Sequence, residues 1–136
     1  MSYINWNAGP VTQRVKDRLN DTMTLLGAQG VSWCAQRLRA NGYSEATKHP
    51  TGNLVNSISY STHTGQGGGT PGIAQPEEDL RARIGSVVVY AARVEFGFVG
   101  TDSLGRHYNQ PPKSYLRAGL DMHRTEIYNL IRNALQ

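Results

Sequence analysis

Ser57-Ile58-Ser59-Tyr60-Ser61-Thr62-His63 is where the period of the chain changes. Ile58, Tyr60 and Thr62 alternate with small polar residues, the period-two pattern of a half-buried strand. Just before it, Leu54 and Ile58 stand four apart in Thr51-Gly52-Asn53-Leu54-Val55-Asn56-Ser57-Ile58, so a short helical turn leads into the strand. Just after it, residues 64–76 hold five glycines, two prolines and no charge. That composition cannot pack a core and predicts a flexible loop over about 64–78. Residues 79–86 then read as a second strand, with Leu80, Ala82 and Ile84 inward and Arg81 and Arg83 outward. Two strands around one loop form an antiparallel hairpin, here with a long Gly-rich tip. A tip of this length is seldom idle in a compact domain. Val87-Val88-Val89-Tyr90-Ala91-Ala92 follows as an apolar run predicted to be buried.

On both sides of this hairpin the chain is helical. Gly9-Pro10 opens a long helix, since proline fits the first turn where its missing N–H has no partner to lose. Val11, Val15, Leu19, Thr22, Leu26 and Trp33 form its apolar stripe, flanked by Met23 and Leu25. It is predicted to run to Ala40, where Asn41-Gly42 supplies a stop. Gly27 and Gly30 inside it predict a bend or a close approach by another element. A helix of about thirty residues is roughly 45 Å long. Residues 43–51 read as a polar connection. Residues 97–111, with Gly97, Gly100 and Gly105, read as a second loop. Pro111-Pro112 then opens the last helix, whose stripe is Leu116, Leu120, His123, Ile127, Ile131 and Ala134, with Tyr115 and Leu130 beside it. The fold class is α+β: a small antiparallel sheet packed by long N-terminal and C-terminal helices.

The 136 residues fit a single domain spanning 1–136. The lone Cys34 excludes an intramolecular disulfide framework and suits a reducing cytosol. No apolar run is long enough to span a membrane, and the N-terminus does not read as a signal peptide. Fourteen Lys and Arg against ten Asp and Glu give a net charge of +4, and eleven of the fourteen are Arg. Arginine suits forked contacts with phosphate or carboxylate, so nucleic acid and acidic protein surfaces are both open as partners.

Chemistry is thinly supplied. His49, His63, His107 and His123 are far apart in sequence, none at metal-ligand spacing, so no metal site is expected. Cys34 lies mid-helix with no histidine near it in sequence and reads as a small core residue. Glu77-Glu78-Asp79 reads as a solvated strand start rather than an acid–base pair. Gly65-Gln66-Gly67-Gly68-Gly69 superficially looks like a phosphate loop. It lacks the following helix and the Lys-Ser/Thr of such a site, so no nucleotide cofactor is expected. No enzyme activity is predicted.

What remains is Tyr90-Ala91-Ala92-Arg93-Val94-Glu95-Phe96-Gly97-Phe98. Tyr90 and Val94 share a helical face, Glu95 is placed to pair with a basic residue, and Gly97 permits a tight turn. Tyr90-Ala91-x-x-Val94-Glu95-Phe96-Gly97 resembles the signature of the neck and tail-completion (minor tail) proteins of tailed bacteriophages. Thr51-Gly52-Asn53-Leu54-x-x-Ser57-Ile58 resembles that family's lead-in to its first strand. Tyr115-Leu116-Arg117-Ala118-Gly119-Leu120 resembles the opening of its C-terminal helix. With the long first helix, the resemblance covers residues 10–136. Phe98 stands where the family usually has a small residue, and Ser114 and Ala118 where it often has prolines.

The resemblance implies a virion structural protein, made in the bacterial host cytoplasm and built into the head–tail junction. Such subunits form rings, typically six-fold, between head connector proteins and the tail terminator or tail tube. Genomic DNA passes through the channel without specific binding. The implied subunit or ring interface takes in Tyr90, Val94, Glu95, Phe96, Gly97 and Phe98. Arg81 and Arg83 are expected to form inter-subunit or inter-ring pairs rather than DNA contacts. The flexible tip with Gly67, Gly68 and Gly69 is expected to order against a neighbouring ring. Two alternatives stand beside this: a tail terminator capping the tail tube, and a sequence-independent nucleic-acid-binding protein.

Overall fold

The computed structural model describes residues 9–40 and 53–136. The expected stop at Asn41-Gly42, the connection at 43–51 with His49, and Thr51-Gly52 lie outside the described residues. Within them the protein is α+β, with a three-stranded and a two-stranded antiparallel sheet.

Helix α1 (Gly9–Ala40) is one continuous helix. Its two inner glycines serve close packing. A Cβ on Gly27 would run into the Tyr60 ring, and one on Gly30 into the end of Ile84. Tyr60 and Ile84 are direct partners across β1 (Ser59–Thr62) and β3 (Ala82–Gly85). The glycines thus let the sheet approach the helix backbone, and the helix cost of glycine is offset by that contact. Leu26, Cys34, Ala35 and Leu38 are buried apolar side chains of α1, whereas Leu25 is exposed.

The expected hairpin is present: β1 pairs antiparallel with β3. Its tip differs from the expectation. Gln66–Gly68 forms β2, which pairs with the other edge of β1, so the sheet order is β2-β1-β3. The chain then crosses back over the face opposite α1. There Thr70 O accepts from Ser59 Oγ (2.9 Å) and Ala74 O accepts from Arg83 (3.1 Å), and Pro76 is fully buried. Glycine makes this crossing possible, since a Cβ on Gly69 would overlap the Asn56 carbonyl. In consequence β1 is covered on both faces: Ser59 and Ser61, and Ser57 at the end of the short helix α2 (Asn53–Ser57) that leads into the strand, are as buried as Ile58 and Thr62, not solvated as the alternation implied.

Strand β3 is shorter than predicted. Leu80, expected inside, lies 40% exposed with φ 64°, its amide held by Asn20 Oδ1 (3.0 Å). The apolar run at 87–92 is not uniformly buried either. Ala91 is inside and Val88 packs on the core, but Val87 is 43% and Val89 96% exposed.

Residues 97–111 are not a loop. Phe98–Thr101 (β4) and His107–Gln110 (β5) pair as a second hairpin. The last helix is in two pieces, α4 (Leu116–Asp121) and α5 (Arg124–Ala134). At the break, His123 stacks flat on Trp33, with ring centroids 4.3 Å apart and planes 6° from parallel. The apolar stripe of α5 is half-buried against α1, and none of its residues is fully enclosed.

Candidate functional site

The segment around residue 95 was expected to be an interface, and its carboxylate points inward. Helix α3 (Ala91–Phe96) carries Glu95 into the interior, where the residue is 6% exposed. Glu95 Oε2 accepts the amides of Tyr115 (2.8 Å) and Leu116 (2.9 Å). Its Oε1 accepts the Arg117 amide (3.0 Å) and the Ser114 hydroxyl (2.8 Å). These are the orphan donors at the start of α4, so one carboxylate satisfies a helix end from a distant segment. The expected pairing of Glu95 with a basic side chain is replaced by this cap. Burial pushes the carboxyl up, but the Leu116, Tyr115 and Arg117 amides and the Ser114 hydroxyl outweigh it and hold it below the usual carboxylate range. Ser114, which stands where the resembling family often has proline, also accepts the Ala118 amide (3.2 Å). A proline there could do neither.

Gly97 turns the chain out of α3 at φ 76°. A Cβ there would sit 2.7 Å from Gln110 O and 2.8 Å from Pro112 N, so the tight turn expected at this position is also a close approach. Tyr90 and Val94 do share a face, and both pack on the core. Phe96 is 77% exposed. Phe98 lies under the Arg93 guanidinium, 4.0 Å from ring centroid to Cζ, with Tyr108 beside it.

The residues singled out in the sequence do not form one site. Gly67 and Gly68 lie in β2 and Arg83 in β3, on opposite edges of the first sheet. Arg81 and Arg83 face solvent as expected, and each has a local partner: Arg81 pairs with Glu78 (2.6 Å) and Arg83 donates to Ala74 O. The sequence reading missed the apolar positions on the second hairpin, Val99 (78% exposed) and Leu104 (74%). Their signal was the alternation of Phe98-Val99-Gly100-Thr101 and His107-Tyr108-Asn109-Gln110 around Asp102 and Gly105.

Cys34 is fully buried, and burial with the nearby Glu95 charge pushes its thiol up to about 12. It is the packing residue the sequence implied. Among the described residues no three His, Cys, Asp or Glu side chains lie together as a metal site, and no helix is long and apolar enough to cross a membrane.

The three segments that carry the family resemblance meet at this core. Leu54 and Ile58 come from the first, Ala91 from the second and Tyr115 from the third; they pack with Cys34, Ala35 and Leu38 of α1. In comparisons with known proteins, no family model, curated protein or solved structure matches the chain.

Proposed function

We propose that the chain is a ring-forming neck or tail-completion subunit at the head–tail junction of a tailed phage. What supports this is the convergence just described. Three short motifs, resembling one family and standing in its order, supply a single core although they lie far apart in the chain. Motifs that define a fold are expected in its core, and these three stand there. The surface is compatible with assembly: Val89, Phe96, Val99 and Leu104 leave large apolar side chains facing solvent.

The test is electron microscopy of particles from a phage with an early amber codon in this gene. Packaged heads beside finished, unattached tails are expected. Overlong tails would assign the terminator role instead, and normal infectious particles would overturn the proposal. Complementation by the double variant Phe96→Asp/Val99→Asp sharpens it. That protein should fold, since both side chains are on the outside, and should fail to restore joined particles.

A further inference from the structure

α5 has two unlike sides. Ile127, Leu130, Ile131 and Ala134 are half-buried, and Arg124, Thr125, Tyr128, Asn129 and Arg132 are exposed. These five exposed side chains line one shallow surface depression. Arg124, Tyr128 and Arg132 follow each other at four-residue steps, so they form a row along the helix. None of the five is acidic. Among the described residues Arg124 has only an exposed pair with Asp121 (3.4 Å), and such pairs hold a guanidinium weakly. Arg132 has no side-chain partner among the described residues. The one carboxylate of α5, Glu126, is turned to His123 (3.4 Å).

We propose that this outward face of α5 docks on the phosphate backbone of duplex nucleic acid, without reading sequence. Arginine, threonine, tyrosine and asparagine are the side chains that donate to phosphate oxygens in such interfaces, and here they stand together with no acid between them. The two arginines are eight residues apart, about 12 Å along the axis. That is about the rise of three to four nucleotides of one strand, so a helix lying along the backbone meets several phosphates at once. Two guanidiniums with hydroxyl, phenol and amide donors between them fit the closely set oxygens of a phosphate strand. Two arginines per chain give weak, salt-sensitive binding. The inference does not depend on the assembly role: a chain that docks DNA through α5 need not join heads to tails.

The experiment is fluorescence anisotropy of a labelled duplex of arbitrary sequence with the full-length chain over a series of salt concentrations. Arg124→Glu/Arg132→Glu is expected to weaken low-salt binding by about tenfold or more and to lower the slope of log K against log salt by about two. Arg81→Glu/Arg83→Glu makes the same change in net charge on the first sheet and is the control, expected within about threefold of wild type. Equal weakening by both pairs, an unchanged α5 pair or no binding by wild type at the lowest salt overturns the proposal. So does displacement of the DNA by polyglutamate as readily as by unlabelled duplex. Circular dichroism checks folding, and Arg124→Gln/Arg132→Gln gives the same slope test if the charge-reversed pair unfolds. Failure of the amber experiment with a positive result here removes the neck role and leaves this surface standing.

Discussion

Glu95 and Asp102 are the same device in two settings. Each carboxylate gathers four donors. Glu95 takes the Ser114 hydroxyl and the Tyr115, Leu116 and Arg117 amides. Asp102 takes the Leu104 and Arg106 amides, the Arg106 side chain and the Tyr108 hydroxyl. Both are held below the ordinary carboxylate range, Asp102 at about 2, chiefly by the Arg106 amide. The difference is where the donors come from. Those of Glu95 are 19 to 22 residues away and the site is buried. Those of Asp102 are 2 to 6 residues away, in the turn of a solvent-facing hairpin. The first therefore fastens one part of the fold to another, and the second shapes only its own turn. Equal hydrogen-bond counts do not mean equal structural weight.

The largest expected effect breaks that comparison at its buried end. Glu95→Ala leaves the Tyr115, Leu116 and Arg117 amides and the Ser114 hydroxyl without their acceptor and should cost at least ~3 kcal/mol, read from denaturant midpoints. The interface role that the resemblance implied for Glu95 would instead leave folding intact. A second effect concerns packing around the same joint. Gly119→Ala places a Cβ 2.9 Å from the Cys34 Cα, a backbone atom that cannot swing away, and should cost about 2 kcal/mol.

The pH dependence sharpens the comparison further. A depressed carboxyl contributes stability above its unfolded pKa, and that contribution is lost as pH falls through the folded value. Wild type should therefore lose stability in acid below about pH 4.3. Glu95→Gln should be less stable at neutral pH and show a flatter acid limb over that range, which acid titration of the denaturant midpoint will read. The smallest effect belongs to the exposed end. Asp102→Asn should leave the global melt close to wild type while hydrogen exchange quickens at the Leu104 and Arg106 amides. A global loss comparable to that of Glu95→Ala would refute the distinction.

The strand core and the first helix were legible because their signals are local. Period two marked β1, and the three- and four-residue steps marked α1 as a helix. The role of Glu95 was hidden because its partners lie some twenty residues on, where no periodicity reaches. The second hairpin was masked by glycines that looked like a loop. The break between α4 and α5 left no trace in spacing, since Leu116, Leu120, His123 and Ile127 continue at helical steps straight through it. The Gly-rich segment was misjudged for a related reason. Composition describes what a segment can do alone, and here β1 gives it hydrogen bonds to make.

Val87-Val88-Val89-Tyr90 bears on how the chain is handled as much as on how it is built. It is an uncharged, β-branched run of the type that seeds intermolecular strand pairing, and Val87 and Val89 remain accessible even after folding. The core beside it closes only when residues as distant as Cys34, Leu54, Ala91 and Tyr115 have met, so the run stays open to other chains while that search proceeds. Recovery on refolding should thus fall with protein concentration, and a charge at Val89 should raise the yield of soluble material without altering the native core.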